Sequence, residues 1–393
     1  HTLAPPPASV ARPRGAARRA LPGVNVAGHA LSEKGMGEGV RAMVRGLDAA
    51  GVPHSVVDYP DQGSANRDQT LAGLIRGNPY PVNLLVVNAL GLPGFVQARR
   101  PEFFRGKYNI GYWLWELPEL PEAYHGSFSY LDEVWVSSDY GLETVARVSP
   151  IPVVKVPPPL PATGLPTKGV GREYFGLQDG QCVFLFMFDA HSIVERKNPG
   201  AVIQAFKRAF PSEADARLVL KLIHADRALL ERLRTEAADA RVLVVDRVFD
   251  REEVNSLMAL SDCYVSLHRA EGFGLTLAEA MALGKPVIAT AHSANLDFMG
   301  VSNSLLVRHR MVRLEQDYPP YPRGSAWADP DVDHAAELMR VVYEDPDRGR
   351  KLGARAREDV MAYLSPAAVG ARMVERLSLI GRDLEARGSI FRA

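Results

Sequence analysis

Short apolar runs and amphipathic stretches follow one another along most of this chain. In the first half the runs Gly23–Gly28, His54–Tyr59, Val82–Asn88, Tyr108–Glu116 and Glu133–Ser138 read as buried strands. Between the first two, Gly37–Ala50 places Val40, Val44 and Leu47 on one helical face. A second series has strands at Cys182–Phe188, Arg217–Ile223, Arg241–Val248, Cys263–Leu267, Pro286–Thr290 and Ser304–Val307. Its helices fall at Pro199–Phe210, Arg227–Ala238, Arg251–Leu260 and Leu275–Leu283, and helical patterns run from about Val332 to Ala386. Alternating strand and helix predicts an α/β protein with parallel sheets covered on both faces.

The two series are separated by "PIPVVKVPPPLPATGLP", Pro150–Pro166. Its prolines are unfit for a central strand, so it reads as an interdomain linker. The expected division is a flexible tail (1–20), a first Rossmann-like domain (21–160), a second (161–365) and a final helix (366–393) crossing back to the first domain. Two such domains face each other across a cleft, and ligands of open α/β sheets sit beyond the carboxyl ends of the strands. One stretch breaks the rhythm: residues 308–330, "RHRMVRLEQDYPPYPRGSAWADP", are polar, aromatic and proline-rich. So long a connection faces substrate or packs on the surface.

Composition narrows the picture. A chain of 393 residues exceeds one ordinary core, and 47% apolar with 23% charged residues is the balance of a soluble globular protein. Net charge is zero, which gives no general case for nucleic acid. Cys182 and Cys263 lie in strand-like runs and read as reduced core residues, which favours a cytoplasmic setting. No run is long enough for a membrane span. Arg12, Arg14, Arg18 and Arg19 in the tail allow a weak basic tether to an anionic surface, hence peripheral membrane contact. Arginine far outnumbers lysine and alanine is abundant, a bias of GC-rich bacterial genomes.

The chemistry concentrates in "HRAEGFGLTLAEAMALGKPVIAT", His268–Thr290. A strand delivers the chain to Glu271-Gly272-Phe273-Gly274, and a helix starts near Leu275. Exposed N–H groups at a helix start attract phosphate, and glycines let a ligand approach the backbone. Glu279 lies about one turn inside, flanked by Ala278 and Ala280. A carboxylate facing a cleft suits a pair of hydroxyls such as a ribose diol. Glu271 then faces another polyol, and the set spells a nucleotide sugar. The plainer reading is two solvated carboxylates, one on a loop and one on a helix surface.

"EGFGLTLAE", followed by "AMALGKPVIAT", resembles the donor-site signature of family 4 glycosyltransferases, retaining enzymes of the GT-B fold. Three further segments are similar to that family's elements: "FLFMFDAHSIVERKNPGAVIQAFKRAF", "VLVVDRVFDREEVNSLMALSDCYVSLHRAEGFG" and "VNVAGHALSEKGMGEGVRAMVRGLDAAGV". The resemblance implies an N-terminal acceptor domain, a C-terminal nucleotide-sugar domain, and transfer of a hexosyl unit from a UDP- or GDP-sugar to an acceptor hydroxyl. It implies that Glu271 contacts sugar hydroxyls around O3 and O4. The amides of Gly272, Phe273 and Gly274 line the sugar, those of Leu275 and Thr276 meet the diphosphate, and Glu279 holds the ribose. Arg196 and Lys197 neutralise the leaving diphosphate, whose charge grows as the glycosidic bond breaks. Gly35, Met36 and Gly37 approach from the first domain, and the turn Arg247–Phe249 meets the base. The acceptor is a bacterial polysaccharide, a glycolipid or a secondary metabolite.

The chain departs from that family's pattern in two places. Arg196 and Lys197 are adjacent, where many members space them, so either Arg196 serves from a reshaped loop or only Lys197 does. "GYWLWELPELPEAYHG" stands where many have a histidine, which makes Glu116 or Trp113 the candidate for that contact; Glu116 reads as an acceptor-side base or, as readily, as a helix-capping or surface carboxylate. His292 and Asn295 follow a strand end and are candidates on the acceptor side; Ser293 is a candidate for sugar or acceptor, and His268, like His292, also reads as a structural histidine facing the cleft. Asp329, Asp331 and Asp333 match a metal-binding pattern superficially, but they precede a helix where aspartate is a common cap; no cofactor or required metal is expected. Two other readings stay open: a GT-B sugar phosphorylase and a non-catalytic GT-B-like binding subunit.

Overall fold

The computed structural model describes residues 21–162 and 164–390, so the basic tail lies outside the described residues. The first unit is built from β1 (Val24–Gly28), α1 (Gly35–Ala49), β2 (His54–Asp58), β3 (Val82–Val86), α2 (Leu92–Gln97), β4 (Tyr108–Trp113), β5 (Glu133–Val136), α3 (Asp139–Ala146) and β6 (Val153–Lys155). They form one sheet in the order β2-β1-β3-β4-β5-β6, every pair parallel. β1, β3, β4 and β5 are buried along their whole length, which is why they appear as nearly unbroken apolar runs. β6 corrects the reading of Pro150–Pro166 as linker throughout. It pairs only with β5, at the sheet edge, where flanking prolines are tolerated.

The second unit repeats the scheme with β7 (Cys182–Asp189), α4 (Val194–Lys197), α5 (Pro199–Ala209), β8 (Ala216–Ile223), α6 (Arg227–Ala237), β9 (Val242–Val245), α7 (Arg251–Leu260), β10 (Cys263–Ser266), α8 (Leu275–Ala282), β11 (Val287–Thr290) and β12 (Leu305–Val307). The order β12-β11-β10-β7-β8-β9 is again all parallel. β9 stops at Val245, short of the expected Val248, and residues 246–248 are an exposed turn. Residues 308–330 are not an irregular loop. β13 (His309–Arg313) and β14 (Ala326–Pro330) pair antiparallel as a two-stranded arm. Among the described residues no helix is long and apolar enough to cross a membrane.

The chain ends in α9 (Val332–Glu344), α10 (Pro346–Leu364) and α11 (Pro366–Ile390). α11 leaves the second unit and packs on the first: Val369, Met373, Leu377 and Ile380 are buried with Met43 and Leu47 of α1. Glycines allow the approach, since a Cβ on Gly370 would stand 2.7 Å from the Gly46 carbonyl oxygen. A charged anchor fixes the register. Glu133 of β5 is fully buried and accepts hydrogen bonds from Tyr108 Oη (2.9 Å), Trp135 Nε1 (2.6 Å) and Arg376 Nε of α11 (2.8 Å). Truncating one partner of a buried pair strands the other charge. Arg376→Ala is therefore expected to lower stability by about 3 kcal/mol, read as a shifted denaturant midpoint, with Arg376→Lys in between.

Candidate active site

The carboxyl ends of the two sheets meet at the loop between β10 and α8. Gly274 caps α8 with φ of 92°, the left-handed region open to glycine, and no side chain caps the helix. The first helical bond runs from Ala278 N to Gly274 O, so the amides of Leu275, Thr276 and Leu277 have no partner within the helix. Phe273 turns inward, is 3% exposed and packs on Phe298, which holds the loop to the second core. From the other side Ser137 Oγ donates to Gly272 O at 2.8 Å. A Cβ on Gly272 would stand 3.3 Å from Glu116 Oε2, so only glycine leaves this much room against the first unit.

Arg196 and Lys197 come from a single helical turn, α4, bounded by Ile193 (φ 63°) and Asn198 (φ 57°). Two non-glycine residues in the left-handed region are strained, and the surroundings hold them there. Asn198 Nδ2 donates to Leu267 O at 3.0 Å, and Arg269 N to Arg196 O at 2.8 Å. The basic turn is thus laced to the glycine loop. Lys197 Nζ lies 2.6 Å from Glu271 Oε2. Arg196 is 6% exposed and donates to Ala270 O at 2.9 Å and Ser192 O at 3.2 Å. Its guanidinium stands 3.6 Å from Glu116 and 3.8 Å from Glu271.

These groups titrate as a set. Burial pushes the Glu271 carboxyl up, but Lys197 and then Arg196 outweigh it and hold it down at about 2. Burial also pushes Lys197 down. Glu271 opposes that shift and Arg196 reinforces it, leaving the ammonium below its ordinary value. His268 is fully buried, held at about 4 by burial and therefore neutral, between Ser266 Oγ (3.0 Å) and Asn295 Oδ1 (3.2 Å).

A second charged cluster lies along α8. Glu279 is 2% exposed and ion-paired with Arg251, at the start of α7. Burial raises the Glu279 carboxyl beyond what Arg251 lowers. Glu279 raises the Arg251 guanidinium against burial, and the more distant charge of Glu38 in α1 adds to that shift. Gly35, Met36 and Gly37 form the first turn of α1, immediately before Glu38. Gly37 is tightly enclosed: a Cβ there would stand 2.0 Å from Ser32 O. Phe249 packs edge-on against Phe175, with Arg247 and the buried Lys221 over its ring at 4.9 and 5.0 Å. Burial brings Lys221 down to about 8.

Arg196, Lys197, Glu116, Glu271 and Gly272 are therefore one group, and Glu279 and α1's start belong to a neighbouring one. His292 lies at the seam, its ring against Tyr140 of the first unit and His309 of the arm. Two acceptor-side assignments fail. Trp113 is 2% exposed, packed on Phe128 in the first core, and presents no face to a ligand. Asn295 is fully buried and spends its amide on Thr290 O and His268. The three aspartates are also committed: Asp329 to Arg269 and Arg310, Asp331 to the His334 amide as a helix cap, Asp333 to Arg208. Asp189, His191 and His224 bring ligand atoms within 4.8 Å of one another. The two imidazoles stack 4.4 Å apart and 3° from parallel, so one ring must turn before both can meet one ion. Arg251 and Lys221 were missed because neither has a local motif. Arg251 reads only as the residue after a capping Asp250.

Residues 176–359 match the family model of glycosyl transferases group 1. A GDP-mannose-dependent monoacylated alpha-(1-6)-phosphatidylinositol monomannoside mannosyltransferase of Corynebacterium glutamicum is 27% identical over 192 residues. That stretch is 47% of this chain and only 45% of the relative's length. Sucrose-phosphate synthase from Thermosynechococcus elongatus superposes with a TM-score of 0.65 at 18% identity, covering 93% of this chain and all of that one. Anabaena HepE, solved with UDP and glucose, gives 0.63 at 13% identity, covering 91% and 99%. At such identities the likeness is one of fold, and the fold is GT-B.

The depressed Glu271 carboxyl makes a pH signature. Its ion pair stabilises the fold above the unfolded carboxyl value of about 4.3 and stops doing so as pH falls through about 2. Glu271→Gln is expected to be less stable than wild type at pH 7, the gap narrowing between those values, as urea unfolding at several pH values will show.

Proposed function

We propose that this chain, whose residues 176–359 match the group 1 glycosyl transferases and which has the GT-B fold, moves a hexosyl unit from a UDP- or GDP-sugar to an acceptor hydroxyl with retention. The observation that carries the reading is the Lys197–Glu271 pair at an uncapped helix start, on the seam of two sheets. An ammonium held in a nearly closed site by a movable carboxylate suits an anionic ligand that also brings hydroxyls. In this reading the diphosphate takes Lys197 and the amides of Leu275 and Thr276, while Glu271 turns to the sugar, lined by Gly272–Gly274. Glu279 exchanges Arg251 for the ribose diol. Phe249 and its turn face the base, and the first turn of α1, Gly35–Gly37, closes from the other side.

Charge develops on the β-phosphate as the bond to the sugar breaks, and fixed cations there lower the barrier. Arg196 contributes through its position beside Glu271 while also holding the loop backbone. The leaving phosphate assists removal of the acceptor proton, on the face lined by Glu116 and His292. Lys197, Arg196 and the helix start meet the diphosphate's charge, so the scheme requires no metal. Closure of the two units keeps water from the donor. The relative's GDP-mannose and the UDP held by HepE frame the choice of base. A surface polysaccharide or glycolipid is the acceptor class proposed, with access from the cytoplasmic side of a membrane.

A thermal-shift panel of UDP, GDP, ADP and TDP sugars identifies the donor. With that donor, Glu279→Ala is expected to bind about 10- to 100-fold more weakly, the worth of charged hydrogen bonds. Lys197→Ala is expected to lose about 100-fold in kcat with a smaller change in KM. Wild-type kinetics in both variants would dismiss the assignment.

A further inference from the structure

The arm formed by β13 and β14 belongs to the second unit but ends in the first. β14 is hydrogen-bonded to the glycine loop, Ala328 N to Arg269 O at 2.9 Å. Arg269 in turn donates Nη1 to Glu195 O at 3.0 Å, in the turn that carries Arg196, and its guanidinium lies 5.2 Å over Trp327 of the arm. Beyond these contacts the arm inserts Tyr321, 3% exposed, edge-on against Trp115 at 5.7 Å. The Tyr321 hydroxyl donates to Glu116 Oε1. That same oxygen faces Arg196 Nε at 3.6 Å, while Oε2 faces Gly272. A side chain fixes the other end of this strand tip: Leu114 N donates to Asn88 Oδ1 at 2.8 Å.

We propose that Tyr321 is a positioning residue for glycosyl transfer: its hydroxyl locks the Glu116 carboxylate between Arg196 and the glycine loop, setting the acceptor side of the donor site. Three observations require the hydroxyl rather than the ring alone. Among the described residues Glu116 forms its ion pair with Arg196, at 3.6 Å, too long for a hydrogen bond, so the Tyr321 hydroxyl supplies the direct one. The carboxylate is largely shielded, its side chain 15% exposed, so water is a poor substitute. And the phenol stays protonated across the working range, because burial and the adjacent Glu116 both raise its pKa. The arm thus couples three parts of the site through one side chain: donor loop, basic turn and first-unit strand tip. The inference deepens the proposed function and rests on it for the chemistry, but not for the contact.

The test uses the full chain with UDP-glucose and GDP-mannose as donors and water as acceptor, following release of nucleoside diphosphate. Tyr321→Phe keeps the ring and removes only the hydroxyl. It is expected to lower kcat about 10-fold, a misplaced polar group in an otherwise intact site, while UDP or GDP binds within about 2-fold of wild type by calorimetry. Glu116→Gln is expected to lose a similar factor, and the double variant no more than the slower single one, since both act through one contact. Full turnover in Tyr321→Phe, or losses that multiply, would overturn the proposal. If the wild type neither binds nor cleaves a nucleotide sugar, the donor reading fails by itself. Hydrogen exchange then judges the contact: faster exchange of amides 114–117 in Tyr321→Phe sustains it, and unchanged exchange rejects it.

Discussion

An ammonium that is largely withdrawn from water has to be answered by an anion, and Lys197 is answered by Glu271 across 2.6 Å. Much of the site follows from that requirement. Glu271 must leave β10 on a loop short enough to reach the basic turn. The turn must present Lys197 outward, at the cost of two left-handed residues, Ile193 and Asn198. Arg196, drawn to the same carboxylate, then ties down the loop backbone instead of pointing into solvent. Glu116 from the other unit completes the balance, two cations against two carboxylates.

The same logic recurs beside α8, where Glu279 is met by Arg251. Each charged side chain proposed to read a donor is occupied by a partner of opposite sign. A nucleotide sugar offers both kinds of replacement at once, phosphate oxygens for the cations and hydroxyls for the carboxylates. A simple anion satisfies Lys197 but takes from the buried Glu271 its close hydrogen bond and leaves it the longer 3.8 Å approach of Arg196, which is costly. This is a physical basis for discrimination, because full exchange needs a ligand with a polyol on either side of a diphosphate.

How much of this was legible in the sequence depends on the range of each contact. Fully buried parallel strands write nearly continuous apolar runs, so the central strands of both sheets could be read directly. The glycine loop and its two glutamates lie within nine residues, 271–279, and a strand–loop–helix pattern is local. β6 was hidden because an edge strand tolerates flanking prolines, and the arm because its two strands are separated by an irregular tip. Tyr321 and Glu116 are 205 positions apart, and no periodicity announces such a contact. Trp113 and Asn295 misled for the opposite reason. A place at or near a strand's carboxyl end suggests a ligand contact, but whether the side chain turns to cleft or core is decided by neighbours such as Phe128 and His268.

The account's central claim is that Glu271 holds Lys197 in place of a donor diphosphate. Titration calorimetry of UDP and GDP against wild type and Glu271→Gln tests it most directly. Neutralising Glu271 frees Lys197, so the nucleoside diphosphate is predicted to bind more tightly to the variant, while cleavage of the intact nucleotide sugar falls. Weaker binding of the nucleoside diphosphate to Glu271→Gln would contradict the claim.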